Sequence, residues 1–431
     1  FPQTFLWWAN PAVVVNDHYH SVFPPDVNAV FDHGKRDVSS FPIATGVYYK
    51  QDYSAGVDIS KYKNIPVPTS YMAIQSKFDF VGGYEEDVKG GLLHVADHHV
   101  SPGKKQWTWG NGDFGQAWDR NLTDEDGPYI ELMTGMYTDN QPDFTWLQPY
   151  EEKSWKQYFM PYAEVGYVKN ATKDALLNME VKEGKGKVIL YTTGVNKDVH
   201  VFVKDNVGGA TLFDKVISIS PAEPFQAEFA AEGLKDEDIL VEIRNHEGRI
   251  LVSYQADKPE IKPVPDPAKA AKDPKDIASI EQLFLTGQHL EQYRHATYDP
   301  TEYYKEALRR EPGDIRCNNA MGLWLMRKGQ FAMAEPYFRK AIGTQTERNP
   351  NPYDGEPHYN LGWSCLMQGK TDEAYDAFFK SAWNAAWQDA AYYNLAAIDC
   401  RRGNFEKALD LIDRSLVRNW HHHKARQLKA S

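Results

Sequence analysis

A repeated spacing of small residues in the last third of the chain constrains the fold more than any other feature. In three successive stretches, a glycine or alanine is followed seven residues later by a glycine, and five residues after that by an alanine. The triplets are Gly322, Gly329 and Ala334, then Gly362, Gly369 and Ala374, and finally Ala396, Gly403 and Ala408. This spacing predicts helical hairpins, because small residues let two helices cross closely and a glycine ends the first helix of each pair. Phe338, Phe378 and Ile412 are expected at the equivalent inner position of the second helix.

The period of these triplets points to a repeat family. The offset is 34 residues between the last two units and 40 between the first two, and the excess fits an insertion around GTQTERNPNPYDG. On these residues, 277–431 resembles the tetratricopeptide repeat family, with a more degenerate unit at 280–311. The final stretch HKARQLKAS looks like a further first helix, so we expect the array to continue or to be capped by another segment.

The resemblance implies a protein or peptide partner in the concave groove of the repeats. Asn360 and Asn394 lie two positions before the small residue, where asparagines of carboxylate-binding relatives grip a peptide terminus. The first full unit has Ala320 at that position. The alternative is that both asparagines are packing or solvated residues.

Residues 1–180 have a different pattern, predicted to form strands. Aromatic and β-branched runs alternate with clusters of Gly, Pro, Asn and Asp, with no sustained helical period, which indicates a large antiparallel β-sandwich. Residues 181–256 alternate apolar and polar residues as in a small supporting β-sandwich module, and 257–276 form a Pro- and Lys-rich linker. The predicted chain is therefore multidomain, ending in an all-α repeat solenoid at 277–431.

The stretch from Trp107 to Tyr162 interleaves aromatic residues with Asp and Glu. Flat aromatic walls pack against sugar rings, while carboxylates bind hydroxyls or transfer protons. The predicted substrate-binding residues are Trp107, Trp109, Trp118, Tyr129 and Gln141. The alternative is an ordinary aromatic core with its acids in solvated loops.

Histidines form a second group of candidates. His18 and His20 are two residues apart, so on a strand they would face the same side and present two imidazoles to a pocket. A metal would need a third ligand that the sequence does not place, so neither a metal nor a cofactor is predicted. An EF-hand around Asp119 is excluded, since its sixth and twelfth positions are Asp124 and Ile130. A looser calcium site at 119–127 stays open.

The segments WWANPAVVVNDHYHSVFPPD, PGKKQWTWG, GPYIELMTG and QPDFTWLQPYEEKSWKQYFMPY carry a second resemblance. They look like a family of bacterial proteins of unassigned function that join a galactose-mutarotase-like β-sandwich to tetratricopeptide repeats. Mutarotase-like sandwiches use a Glu and a His across the pocket. By position, Glu131 is similar to that glutamate, and His18 or His20 could correspond to the histidine.

These resemblances lead to two functional hypotheses. The first is a carbohydrate-active protein, a glycosidase, mutarotase or epimerase by acid–base chemistry, or a saccharide binder. Glu131 would transfer a proton, Asp113 or Asp119 would be the second carboxyl, and His18 or His20 the other proton donor or acceptor. The alternative is a non-catalytic scaffold whose repeats recruit a protein.

Charge and hydropathy limit the classes of partner that the sequence leads us to expect. The net charge of −12 and a pI near 5.6 give no electrostatic reason to expect nucleic acid or an anionic membrane surface. The sequence contains no apolar run of membrane-spanning length. Because the chain starts at the strand-like FPQTFLWWANPAVVV, we expect further strands of the sandwich and a signal peptide upstream. Analogy with sugar-processing bacterial proteins leads us to expect a periplasmic or extracellular location.

Overall fold

The computed structural model describes residues 3–141, 143–260, 262–293 and 297–431. Backbone contacts divide the chain into two compact units. The first, named the β unit, comprises residues 6–144 and 155–269. The other, named the repeat unit, joins residues 270–431 with two short upstream pieces, 1–5 and 145–154. The repeat unit is therefore discontinuous in sequence.

Short strands dominate the first 163 residues. In chain order they are β1 (Gln3–Phe5), β2 (Trp8–Ala9), β3 (Ala12–Val14), β4 (Tyr19–Val22), β5 (Ala29–Phe31), β6 (Val38–Ser40), β7 (Ile43–Ala44), β8 (Val47–Tyr48), β9 (Gln51–Asp52), β10 (Val57–Asp58), β11 (Thr69–Ala73), β12 (Phe80–Glu85), β13 (Gly90–Ala96), β14 (Gly103–Thr108), β15 (Tyr129–Gly135), β16 (Thr145–Leu147) and β17 (Gln157–Ala163). Single 3-10 turns lie at His33–Lys35 and Tyr62–Asn64.

Two antiparallel sheets of the β unit face each other. One runs in the order β2-β15-β14-β11-β5-β6, with β3 also paired to β15, and the other in the order β17-β13-β12-β4. Tyr19 of β4 packs against Ile130 and Leu132 of β15, and Val81 of β12 packs with Tyr71 of β11. Apolar side chains from alternate positions of both sheets thus form a sandwich core, which confirms the predicted antiparallel β-sandwich.

A helix interrupts the strands where none was predicted. It is α1 (Asp113–Thr123), with Asp113 in its first turn, where a carboxylate favours the helix N-terminus. The sequence pattern of residues 1–180, which has no sustained helical period, did not predict this helix. The large apolar residues of α1 recur at a helical spacing of four, but they are exposed: Phe114 by 59%, Trp118 by 39% and Leu122 by 52%. They therefore form a stripe on the surface and do not belong to a core.

A second pair of sheets lies further along the β unit. Its strands are β18 (Asn170–Ala171), β19 (Ala175–Lys182), β20 (Lys185–Thr192), β21 (Asn196–Asp205), β22 (Thr211–Ile219), β23 (Phe225–Ala230), β24 (Ile239–Arg244) and β25 (Ile250–Gln255), with a 3-10 turn at Asp236–Asp238. The sheet orders are β18-β19-β20-β23 and β22-β21-β24-β25. One hydrophobic cluster runs from Phe80 and Tyr162 of the first sandwich into both sheets. Strand β19 crosses the boundary expected between residues 180 and 181.

The repeat unit is built from helix pairs. Its helices are α2 (Ile280–Gln292), α3 (Pro300–Arg310), α4 (Ile315–Arg327), α5 (Phe331–Thr346), α6 (Glu356–Met367), α7 (Thr371–Ser381), α8 (Gln388–Arg401), α9 (Phe405–Arg418) and α10 (His423–Ala430). Single 3-10 turns lie at Pro274–Asp276 and Ala385–Trp387. None of the helices in the described part of the chain is both long and apolar enough to cross a membrane.

The glycines of the repeats have the roles that their spacing predicts. Gly329, Gly369 and Gly403 lie just after α4, α6 and α8 with φ of +74°, +77° and +76°, a conformation that glycine adopts without strain. A Cβ on Gly322 would lie 2.4 Å from the ring of Phe338, and one on Gly362 would lie 2.7 Å from that of Phe378. The close helix crossing predicted from the sequence is thereby confirmed.

Candidate functional site

Four aromatic residues predicted to bind a saccharide lie together on the β unit. Trp107 and Trp109 meet edge to face with ring centroids 4.5 Å apart, and Trp109 stacks on Trp118 at 5.0 Å with an interplanar angle of 9°. The indole Nε1 of Trp109 donates a hydrogen bond of 3.2 Å to the hydroxyl of Tyr129. We call these four residues the aromatic cluster. Since Trp118 is 39% exposed, the cluster has an open side.

Glu131 lies beside the aromatic cluster. It is the register partner of Trp107 across β14 and β15, and its Oε2 accepts a hydrogen bond of 2.9 Å from Asn10 Nδ2. Ile130 and Leu132, its neighbours in β15, are fully buried in the sandwich core. Because side chains alternate along a strand, Glu131 and Trp107 share the outer face of this sheet.

The same face carries a buried lysine that was not among the residues predicted from the sequence. Lys105 Nζ donates a 2.8 Å hydrogen bond to Gln141 Oε1 and lies 3.1 Å from His33 Nε2. Burial lowers the pKa of Lys105 to about 8, while the charge of Glu131 acts in the opposite direction. Burial and the Lys105 charge lower the pKa of His33 to about 4. Gln141, predicted to bind substrate, thus holds Lys105, and the crevice between them is too tight for a water molecule.

The two aspartates proposed as a second carboxyl lie on α1 in different environments. Asp113 is exposed at the first residue of the helix, and Asp119 is buried. Neither carboxylate oxygen of Asp119 has a hydrogen-bond partner in the described structure, and burial raises the pKa of Asp119. Their separation of six residues is about 9 Å along a helix axis and about a third of a turn in direction. The two aspartates are thus separate candidates, and the role of either one as the second carboxyl beside Glu131 stays a prediction.

His18 and His20 are not a pair of imidazoles on one strand. His18 is exposed in the turn before β4, whereas His20 is buried within it. The prediction that they face the same pocket is wrong because the strand begins at Tyr19, after the first histidine. His20 Nδ1 is 2.6 Å from the hydroxyl of Tyr167, and its Nε2 is 2.8 Å from Glu86. Burial lowers the pKa of His20.

His20 and Glu131 also point away from each other. Tyr19, next to His20, lies in the core beside Ile130 and Leu132. By strand alternation, His20 faces the far side of its sheet and Glu131 faces the far side of the opposite sheet. In this fold, His20 and Glu131 therefore cannot contact the same sugar from its two sides.

Two groups in the described structure contain three metal-ligating side chains each. In the first, Glu335, Cys365 and Glu373 lie together, but Arg339 pairs with both carboxylates, which makes it an ion-pair network. The second is Asp97, His98 and His99, in the turn after β13. These residues differ from the histidine pair predicted from the sequence.

The repeat unit contains a cavity that is larger than the crevice beside Lys105. This space, called the repeat groove, measures about 350 Å³ and lies between α2, α4 and the start of α6. Phe284, Tyr304 and Leu323 supply apolar walls, and Arg316 and Arg327 supply cationic groups. Arg316 lies over the Phe284 ring at 4.7 Å.

Hydrogen bonds fix the polar wall of the groove. Glu291 accepts a 2.8 Å hydrogen bond from the Tyr304 hydroxyl and pairs with Arg327. Asn319, which also lines the groove, accepts a 3.0 Å hydrogen bond from Asn360 Nδ2. Asn319 was not predicted from the sequence because it is offset by one residue from the position compared between repeats.

A stretch of the chain itself lies on the repeat unit. Residues 145–154, called the inner segment, begin with β16, which pairs with β1 from Gln3 to Phe5. Trp146 lines the repeat groove and a neighbouring cavity bounded by Trp324 and Lys328, and Gln148 also lines the groove. The repeat groove is therefore shaped in part by an extended piece of the same chain.

The inner segment inserts one aromatic ring between the last helices. The ring of Tyr150 stacks on His422 at 3.9 Å with an angle of 23°, and it meets Tyr393 edge to face at 5.1 Å. Asn419 Nδ2 donates a 2.7 Å hydrogen bond to the backbone oxygen of Tyr150. We call Tyr393, Asn419 and His422 the tyrosine slot.

The histidine run at 421–423 has two roles. His422 is 1% exposed and caps α10, since its Nδ1 accepts a 3.1 Å hydrogen bond from the Ala425 amide. The exposed His421 and His423 approach the carboxylate of Glu152 at 3.6 and 3.3 Å. The run is therefore not uniformly exposed, because Tyr150 covers the ring of His422.

The two asparagines predicted to bind a partner are buried. Asn360 is 0% exposed, with its amide donating to Asn319. Asn394 is 4% exposed, and its amide donates to Ala390 O at 2.9 Å and to the Tyr359 hydroxyl at 3.3 Å. Their role in partner binding stays a prediction, and the structure assigns them packing contacts.

Two protein-family models match successive parts of the chain. Residues 1–162 match a family described as a domain of unknown function (DUF5107), and residues 170–254 match one described as the second domain of YphG-like protein. The helices after them fit a tetratricopeptide repeat array, as their glycines show. The chain thus has two β regions, each similar to one of these families, followed by a helical repeat. The galactose-mutarotase-like identity of the first domain stays a prediction.

Comparison with solved structures returns repeat proteins. The crystal structure of MamA is 17% identical, with 33% of this chain and 90% of that chain covered and a TM-score of 0.28. YrrB, titled a TPR protein with an unusual peptide-binding site, is 22% identical over 34% of this chain and 70% of that one, with a TM-score of 0.28. A TPR-domain protein from Parabacteroides distasonis is 13% identical over 99% of this chain and 61% of that one, with a TM-score of 0.29.

Proposed function

We propose that this chain is a protein-binding scaffold whose repeat unit holds an extended polypeptide segment. The observation that carries the proposal is the inner segment, which lies on the repeats with its ring in the tyrosine slot and Trp146 at the repeat groove. A surface that holds one extended segment by stacking and by a bond to a backbone oxygen has the chemistry to hold another.

The repeat groove gives this surface room for a partner. Its walls mix aromatic and aliphatic groups with arginines and carboxylates, which suits a polypeptide that presents apolar and charged side chains alternately. Arg316 lies on Phe284 and also pairs with Glu281 at 2.6 Å, so its guanidinium is already oriented. Orientation before binding lowers the entropy lost on association.

A peptide selection against the full chain tests the proposal. Peptides displayed on phage would be selected on the intact protein, and their affinity measured for Leu323→Ala in the groove and for Leu409→Ala. Leu409 is the matched control, because it is 47% exposed on α9. Loss of the apolar contact between Leu323 and a bound peptide is expected to weaken binding about tenfold or more in Leu323→Ala. Equal affinity of both variants, or no selected peptide, would contradict the proposal.

A second candidate function is saccharide binding at the aromatic cluster. The observation that favours it is the joining of Trp109 and Trp118 into one stacked, partly open surface beside Trp107 and Glu131. Aromatic faces of this kind pack against sugar rings, and a carboxylate beside them accepts hydroxyl hydrogen bonds. Acid–base catalysis by Glu131 remains a prediction, without His20 as its partner.

Calorimetric titration with mono- and oligosaccharides tests this second candidate. Trp118→Ala and Glu131→Gln are expected to weaken any binding, while Trp383→Ala is the matched control because Trp383 is a 66% exposed tryptophan of the repeat unit. Turnover that Glu131→Gln abolishes would support an enzyme. Absence of heat with every sugar would exclude the candidate.

A further inference from the structure

We propose that residues 145–154 act as an internal ligand of the repeat unit, and that the partner which displaces them is an extended segment with an aromatic residue followed by an acidic one. This inference rests on the proposed protein-binding function of the repeats. It adds the chemistry of the partner and the reason why its access is regulated. Three features of the contact support it: the ring, the backbone and the charge.

The tyrosine slot is a built site for an aromatic ring. His422 forms its floor and is held by its bond to the Ala425 amide at the start of α10. Tyr393 of α8 contacts Tyr150 edge to face, and Lys424 Nζ lies 5.8 Å from the centre of the Tyr150 ring. Flat, edge and cationic contacts around one ring select for an aromatic side chain over an aliphatic one.

Asn419 recognises the backbone of the inner segment. Its Nδ2 donates to the carbonyl oxygen of Tyr150 at 2.7 Å and to Asp389 Oδ2 at 3.0 Å. Asp389 therefore fixes the amide with its donor toward the incoming chain. A bond to a backbone oxygen is independent of sequence, so any extended segment with a ring at this place could use it.

The charge around the slot selects the residues on the C-terminal side of the ring. Glu152, two residues after Tyr150, lies near His421 Nδ1 and His423 Nε2. Lys424 adds a further basic group beside the same ring. An acidic residue shortly after the aromatic one is therefore favoured by the surroundings, and a basic residue there would be repelled.

The contact of the inner segment with the repeats is weak enough for a partner to displace it. Outside the three residues of β16 it forms no regular structure, and Tyr150 has φ of +62°, an unfavourable value for a residue other than glycine. Glu152 and Gln148 are exposed. A segment with a relaxed backbone and the same side chains would therefore bind the slot at least as well, but it must compete with a ligand tethered to the same chain.

A peptide with the sequence of residues 145–154, TWLQPYEEKS, tests the inference on the full chain. Fluorescence anisotropy of the labelled peptide is expected to show at least tenfold tighter binding to Tyr150→Ala, whose slot is empty, than to the wild type. Tyr150→Phe is the matched control, since it keeps the ring and should bind as weakly as the wild type. Adding Asn419→Ala to Tyr150→Ala should remove the gain.

The peptide itself supplies the chemical test. Replacing its tyrosine with alanine should abolish binding to the Tyr150→Ala chain, and replacing its second glutamate with lysine should weaken binding several-fold. Equal binding of the peptide to the wild type and to Tyr150→Ala would overturn the inference. The inference would also be overturned if both altered peptides bound as tightly as the original peptide.

Failure of this inference is distinguishable from failure of the proposed function. If phage-selected peptides bind through Leu323 but the 145–154 peptide does not compete with them and does not bind Tyr150→Ala, the internal ligand is excluded and the scaffold stands. If neither kind of peptide binds, both the inference and the proposed function fail.

Folding controls accompany these binding measurements. Circular dichroism of Tyr150→Ala and Tyr150→Phe at matched concentration shows whether each variant keeps its helices. Glu152→Lys provides a second way to loosen the inner segment while the Tyr150 ring is retained.

Discussion

His94 is a buried histidine whose neutral form the fold requires. It is 0% exposed, its Nδ1 accepts a hydrogen bond from the Thr134 amide, and its Nε2 is 2.9 Å from the Thr134 hydroxyl. Burial lowers its pKa to about 4, against about 6.5 in the unfolded chain. Between pH 6.5 and pH 4 the unfolded state therefore binds a proton that the folded state does not.

The free energy of unfolding of the β unit is expected to fall as the pH is lowered through this range. The destabilising contribution of His94 is on the order of 3 kcal/mol at pH 4 and fades as the pH rises past 6.5, because the pKa is about 4 in the folded chain and about 6.5 in the unfolded one. Urea unfolding at a series of pH values should show a shallower pH dependence for His94→Gln than for the wild type. His20 and His33, whose pKa values are also lowered, contribute in the same direction. If the free energy of unfolding of His94→Gln fell with pH as steeply as that of the wild type, His94 would be excluded as a cause of the pH dependence.

At the scale of elements, the hairpins of the repeat unit depend on glycines at the helix crossings. Gly322→Ala would place a Cβ 2.4 Å from the Phe338 ring, which is fully buried. We expect the free energy of unfolding to fall by about 1–3 kcal/mol, as for overpacked cores. Gly343→Ala is the matched control in the neighbouring helix α5, where the new Cβ meets nothing within 4 Å, and a gain of about 0.5–1 kcal/mol is expected. Chemical unfolding of the two variants measures the difference, and a loss in Gly343→Ala equal to that in Gly322→Ala would contradict the crossing argument.

The elements also show which features the sequence determines locally. A glycine at φ near +75° and a small residue at a helix crossing leave a fixed spacing in the sequence, so the repeats were predictable. The helix α1 was not, because Phe114 and Trp118 have strand-like composition and their spacing of four was masked by the surrounding aromatic residues. Side-chain alternation places Glu131 opposite to the buried Ile130 and Leu132. The pairing of His18 with His20 failed because it depended on where β4 begins.

At the scale of the whole molecule, the repeat unit is assembled from pieces that are distant in sequence. Tyr150 and Asn419 are 269 residues apart, and no local pattern relates them. Composition divides the chain into consecutive blocks and assigns residues 145–154 to the first β-sandwich, whereas their contacts group them with the helices. Candidate residues that depend on such long-range contacts, including His422, were consequently not predicted.

This discontinuity predicts the behaviour of a fragment limited to residues 270–431. The fragment lacks Tyr150, so the His422 ring and one edge of Tyr393 lose the partner that covers them in the full chain. We expect it to unfold at a lower temperature than the same helices in the intact protein. Adding the TWLQPYEEKS peptide at about 100 times its Kd should restore roughly 2.7 kcal/mol, which for a fragment of this size is a rise in Tm of about 5–10 °C.

Differential scanning calorimetry of the fragment, with the peptide and with its tyrosine-to-alanine form as control, measures this effect. A rise in Tm with the first peptide and none with the second requires that the tyrosine slot forms in the absence of the β unit, because only a folded slot distinguishes a ring from a methyl group. An equal Tm with both peptides would mean that Tyr150 covers the repeats without stabilising them.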